Sequence, residues 1–289
     1  MTIYYFVKQR FPRKDKRGEL ARIFDEEGKI PDEILEDSDF FRPFKLKLPS
    51  NTERINKLHN LNYEMLEEYK TSFDLRTVRN MIIKQNHPSE DDSSIYEIFN
   101  RLNSGGLNLK PQEIRSSLYQ SHFDNMLKKI NLDPRWRSLI GQENPDLRLK
   151  DIEILLRAFA MLYKGDQYKS PMIKFLNQFA SKGRGFTKEE VLYLQELFLS
   201  FLDQCTHLDD DIFLNSQRKF NISVFESVFN ATSAPYLEKQ SIVTKPIDND
   251  AINRLKQDPA FINATQSATA SKDKVQDRLL MARDIIGHS

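Results

Sequence analysis

The stretch Ser94–Arg115, SIYEIFNRLNSGGLNLKPQEIR, decides how the rest of the chain is read. Its first half places Ile95, Ile98, Phe99 and Leu102 at i, i+3, i+4 and i+7, the spacing that lines one face of an α-helix. That helix is expected to stop at Asn103-Ser104-Gly105-Gly106, because glycines accept the positive φ angles that follow a helix end. A second helix is expected from Pro111, since proline suits the first helical position, and Glu113 follows in the first turn, where a carboxylate faces the positive helix end. The predicted unit is helix, glycine loop, helix. Ile114 and Leu118 open the second apolar stripe.

The block Phe99–Arg115, FNRLNSGGLNLKPQEIR, resembles the F-x-R-L-N-S-G-G-x-x-L-x-P-Q-E-I-R segment of the N-terminal domain of GmrSD-type, modification-dependent (type IV) restriction enzymes. These have a ParB/sulfiredoxin-like catalytic core. The resemblance implies nucleoside triphosphate hydrolysis, with Mg2+, that controls DNA cleavage by an attached or separate nuclease in anti-phage defence. It departs at Lys110, where the family usually has a helix-capping serine. The family's Asp-Gly-Gln-Gln-Arg-Leu motif, its catalytic part, lies just ahead of a helix like MTIYYFV (Met1–Val7), and this sequence holds no copy of it. The expectation is therefore a truncated relative without its own catalytic motif. No His-Asn-His nuclease arrangement can be assembled after His207.

Composition sets the outer limits. With 289 residues, 39% hydrophobic and 29% charged, the chain suits a globular, helix-rich protein of one large core or two ordinary ones. Lys+Arg 43 against Asp+Glu 42 leaves a net charge of +1, so any contact with nucleic acid has to be a local patch. Cys205 is the single cysteine, which excludes an internal disulfide and fits a reducing compartment. No apolar run approaches the ~18 to 20 residues that span a bilayer, and no signal-peptide pattern opens the chain; the expected location is cytoplasmic, with no membrane partner.

Before the central block, Lys8–Arg17 carries six cations and Asp25–Asp39 eight carboxylates, which reads as a solvated, self-screening surface. Phe44, Leu46 and Leu48 alternate with Lys45 and Lys47, the period of a half-buried strand, and a second β-leaning run over 77–84 is expected to pair with it. Between them Ile55, Leu58, Leu61, Met65 and Leu66 have helical spacing. His87 and its acidic neighbours sit in a polar connection, and the other histidines show no metal-ligand spacing.

After the block, apolar stripes predict helices around Met126–Ile130, Ile152–Leu162 and Met172–Phe179, the last ending at Lys182-Gly183-Arg184-Gly185. Trp136 lies between Arg135 and Arg137; a buried ring with its neighbours in solvent is expected over a stacking site for a base. Thr187–Glu190 reads as a capping box before a long helix, and Ser223–Glu226 as a second one. A polar, proline-containing link is expected over Ala234–Pro246, then a short helix with Ile252 and Leu255, and a final one with Val275, Leu279, Ala282 and Ile286 that packs onto the body.

The predicted fold is mainly α: a multi-helix bundle with a small strand pair near 44–48 and 77–84, implied by the resemblance to be the remnant of a ParB/sulfiredoxin-like α+β domain. The expected domains are 1–120, holding the glycine loop, and 121–289, helical. The candidate nucleotide-binding residues are Arg101, Asn103, Ser104, Gly105, Gly106, Glu113 and Arg115. Backbone N–H groups of the loop suit a phosphate, and the arginines suit its charge; the competing role for Arg115 is an ion pair with Glu113 or Asp124. Three readings stay open: a nucleotide-linked regulatory subunit, a non-enzymatic DNA- or nuclease-binding helical module, and a self-sufficient hydrolase.

Overall fold

The computed structural model describes residues 2–48, 56–78, 96–98, 101, 108–266 and 268–287. It is mainly helical, with one two-stranded antiparallel sheet. The chain separates into two compact units, 1–86 and 87–289. The helix Pro111–Leu118, expected in the first domain, packs instead against Lys150–Lys164 and Met172–Gly183 of the second unit.

The first unit is organised by aromatic rings. Helix Thr2–Lys8 buries Phe6, whose ring meets Phe44, Tyr63 and Phe73 edge-on at centroid distances of 6.1, 5.9 and 5.5 Å. Such pairs add to burial because ring edges are positive and faces negative. The rest of MTIYYFV is less buried than its composition suggests, with Ile3 and Tyr4 each 56% exposed.

The strand pair is not the predicted one. Phe11–Pro12 pairs antiparallel with Phe41–Arg42, Phe11 opposite Arg42. Residues 44–48 keep the expected alternation of half-buried and exposed side chains, but they form no strand. The backbone groups of Leu46 bond instead to the Leu61 carbonyl (2.9 Å) and the Asn60 N–H (2.8 Å), so a turn, and not residues 77–84, satisfies them. Residues 77 and 78 are irregular, and 79–84 lie outside the described residues. Leu58–Leu66 likewise forms turns and a short 3-10 segment, Glu64–Leu66, in place of a regular helix.

The second unit is an α-helical body around Lys150–Lys164 and Ile222–Glu238, which pack on each other, with Lys272–Ile286 laid against the latter. Phe159, Phe198, Phe201, Phe225 and Phe229 are fully buried and touch one another at ring-centroid distances between 5.0 and 6.5 Å. Trp136 joins them, 5.2 Å from Phe225. Helix Met172–Gly183 comes so close to helix His122–Ile130 that a Cβ on Gly183 would sit 2.6 Å from the Phe123 ring. Glycine is needed there for the approach of backbone to ring.

Helix ends follow their sequence signals in part. Thr187 and Glu190 form the expected capping box: the Thr187 hydroxyl accepts the Glu190 N–H (3.2 Å) and Glu190 accepts the Thr187 N–H (2.7 Å). Ser223–Glu226 forms none. Asn221 caps that helix through Oδ1, which accepts from the Ser223 and Val224 N–H groups, and Ser223 and Glu226 are buried one turn in. The helix then runs through Pro235 to Glu238, so the predicted link over 234–246 begins five residues late. Pro235 has no N–H for the Ala231 carbonyl, a local loss that the surrounding helices tolerate. The final helix buries Val275, Leu279, Ala282 and Ile286, as its spacing predicts.

Candidate functional site

The helix Pro111–Leu118 begins where the glycine loop ends. Its N-cap, Lys110, has extended backbone (φ −77°, ψ 157°) and a side chain that cannot accept a hydrogen bond. The reciprocal half of a capping box is present: Glu113 Oε2 accepts the Lys110 N–H at 2.7 Å. The same carboxylate lies 2.9 Å from Arg148 Nε, and Arg148 Nη2 donates to the Asn108 carbonyl. Arg148 thus ties the chain leaving the loop to the first turn of the helix.

Arg115 is the hub of this region, 1% exposed. Nε donates to Gln112 Oε1 (2.7 Å), Nη1 to Asn177 Oδ1 (3.2 Å) and Nη2 to the Glu153 carboxylate. One guanidinium fork therefore joins three helices, a role its planar, multi-donor geometry suits. Burial lowers its pKa, and the charge of Glu153 and the nearby Tyr96 phenol oppose that shift. Tyr96, itself buried, has its phenol pushed upward by burial, with Arg115 pulling the other way. The expected partners of Arg115, Glu113 and Asp124, are engaged elsewhere: Asp124 accepts from Ser116 Oγ (3.1 Å) and pairs with Lys128 (2.6 Å).

The seven candidate residues consequently divide. Glu113 and Arg115 belong to the fold at the exit of the loop. Arg101 has a side chain 84% exposed and pairs with Glu97 at 3.5 Å, one helical turn away. Asn103, Ser104, Gly105 and Gly106 lie outside the described residues, as do Ile95, Phe99 and Leu102 of the predicted stripe; Ile98 of that stripe is 38% exposed, and Tyr96 is the buried residue beside it.

Two polar clusters carry no sequence signal that points to them. Arg137 is buried, contrary to expectation: Nη1 donates to Asp151 Oδ2 (2.8 Å) and Asn131 Oδ1 (2.8 Å), and Asn131 Oδ1 also accepts the Trp136 indole N–H (3.0 Å). The Trp-Arg pair is accordingly interior structure. Deeper still, Glu226 accepts from Arg157 Nε (2.5 Å) and Nη2 (3.0 Å) and from Arg278 Nη2. Glu226 and Arg278 are fully buried, and Arg278 Nε has no hydrogen-bond partner among the described residues. Burial works against the Arg157 charge, but Glu226 outweighs it and raises the pKa. In the sequence, Glu226 shows only as the end of a capping box that does not form.

Among the described residues no group of His, Cys, Asp and Glu is placed to hold a metal ion. Nor, among them, is any helix long and apolar enough to cross a membrane. Comparison with protein-family models, with curated proteins and with solved structures returns no match.

Proposed function

We propose that the chain is the nucleotide-linked regulatory module of a GmrSD-type restriction system directed against phage, a remnant of a ParB/sulfiredoxin-like α+β domain. In this reading Arg101 and the backbone N–H groups of Asn103–Gly106 meet the phosphates of a nucleoside triphosphate carrying Mg2+, and a partner nuclease cuts DNA. Glu113 and Arg115 act at one remove, by holding the loop's exit.

One observation supports it most. Every residue of Pro111–Arg115 is used in anchoring the loop's exit. Pro111 starts the helix, Gln112 holds Arg115, Glu113 holds the Lys110 N–H and Arg148, Ile114 fills the core, and Arg115 reaches across three helices. A helix start fixed at Pro111 is the kind of frame beside which backbone N–H groups meet a phosphate. The resemblance of the flanking block supplies the ligand class.

Thermal denaturation with GTP, ATP, CTP and UTP in the presence of Mg2+ tests the reading. A ligand at 100 times its Kd stabilises by about 2.7 kcal/mol, so one nucleotide is expected to raise the melting temperature by several degrees and the Arg101→Ala variant to lose that rise. Silence for all four nucleotides, alongside retention of DNA or a nuclease, would replace it with a non-enzymatic binding module.

A further inference from the structure

Within the second unit, helix Ile222–Glu238, the segment that follows it and the end of helix Lys272–Ile286 line a cavity of about 210 Å3. Its apolar wall is made by Ala231, Ile247 and Ile286, all buried, with Pro235 beside them. The space exceeds the ~150 Å3 that holds a benzene molecule and falls short of the ~300 Å3 at which drug-sized sites begin. One ring or a short chain fits it; a nucleotide does not.

The rim is charged. Lys239 and Lys245 are exposed lining residues, and neither pairs with a carboxylate among the described residues. Asp248, the one carboxylate among the described lining residues, is already engaged: it accepts the Asp250 N–H at 2.9 Å as a helix cap and lies 3.5 Å from Arg254. Two unpaired ammonium groups against one occupied carboxylate leave the rim net positive. Tyr236, in the same wall, responds to that field. Its phenol oxygen accepts the Lys245 N–H at 3.3 Å. Burial pushes the phenol pKa up, but hydrogen bonds from Thr244 and Lys245, with the Lys245 charge, hold it below the usual range. Surroundings that favour a phenolate favour a carboxylate for the same reason. Thr232 Oγ1, also on this wall, is shielded from solvent with no hydrogen-bond partner among the described residues, a deficit that an acceptor in the cavity would fill.

We infer that this cavity binds a small monocarboxylate with an apolar body, its charge met by Lys239 and Lys245 and its body laid against Ala231, Ile247 and Ile286. None of these residues belongs to the nucleotide reading, so the two stand or fall separately.

Isoleucine-methyl NMR of the full chain, titrated with benzoate, hexanoate and 3-phenylpropanoate, tests it, because Ile247 and Ile286 both line the cavity. At least one of the three is expected to shift both methyls saturably, with a Kd of about 1 mM or tighter, in keeping with a ligand of roughly 8 to 11 non-hydrogen atoms. Ile114 and Ile130, buried elsewhere, are expected to stay unchanged. The matching neutral amide, the matching primary amine, and acetate, which has the charge without the body, are each expected to bind about fivefold or more weakly. Lys239 also ends helix Ile222–Glu238, where a cation suits the carbonyl end, so binding and not stability is the readout. Lys239→Gln/Lys245→Gln, which alters only exposed side chains, is expected to lose about fivefold in affinity with the other methyl signals in place, and Lys239→Arg/Lys245→Arg to bind like wild type. The inference is overturned if none of the three carboxylates gives a saturable shift, if the response falls on Ile114 or Ile130 instead, if the amide, the amine or acetate binds as tightly, or if the glutamine variant is indistinguishable from wild type.

Discussion

Glu226→Gln is the perturbation on which the second unit's stability should turn. The amide keeps the shape of the carboxylate but removes the negative charge that Arg157 and Arg278 share, and their side chains are 15% and 0% exposed. Removing one partner of a buried ion pair costs about 3 to 5 kcal/mol, because the other charge stays behind without solvent or counter-ion. In a body of this size each kcal/mol lowers the melting temperature by roughly 2 to 4 °C, so the expected drop is about 6 to 20 °C. Urea denaturation followed by circular dichroism gives the free energy directly. Adding Arg278→Met should return part of the loss, since an apolar side chain in place of a buried charge removes the uncompensated guanidinium. A loss below ~1 kcal/mol for Glu226→Gln, well under the range for an uncompensated buried charge, would refute this. It would mean that water or local rearrangement already solvates the two arginines.

Three further outcomes follow from the packing. Gly183→Ala should destabilise by about 1 to 3 kcal/mol in denaturant melts, because its Cβ meets the Phe123 ring at 2.6 Å and an overfilled core must shift. Asn221→Ala should cost ~1 kcal/mol by removing the acceptor for two N–H groups, while Ser223→Ala should leave the helix start unaffected. The chain should also lose stability as pH rises above the ordinary thiol range near 9, since burial raises the folded pKa of Cys205 well above that of the unfolded chain. Tyr163, pushed up to about 12 by burial, extends the decline from 10 upward. Both groups keep their protons longer when folded, so the unfolded state binds fewer protons across this window and the slope of stability against pH is negative. Cys205→Val should flatten the first part of that decline in pH-dependent urea melts.

The parts legible from sequence are those whose signal is local. The Thr187–Glu190 cap, the helix end within Lys182–Gly185 and the apolar face of Lys272–Ile286 each rest on residues close in sequence, and each forms as read. What failed depends on distant partners. Arg115 finds Glu153 and Asn177, 38 and 62 residues away, and Glu226 finds Arg157 and Arg278 at separations of 69 and 52; no periodicity carries that information. Ser223–Glu226 shows the trap, since a serine three residues before a glutamate also arises when both side chains face a polar interior. The alternation over 44–48 is real as a burial pattern, but pairing is decided by whichever backbone comes alongside, here the turn at Asn60–Leu61.

If Pro111–Arg115 fixes one end of a loop that itself meets the nucleotide, binding must leave its mark on the glycines. Amide hydrogen exchange, resolved along the chain with and without Mg2+ and each nucleoside triphosphate, reads that mark. Exchange at Gly105 and Gly106 is expected to slow on adding one nucleotide, with the already protected amides of Ile114 to Leu118 unchanged. Exchange at the glycines that stays the same with every nucleotide, or protection that arises only elsewhere in the chain, would contradict the proposed role of the loop.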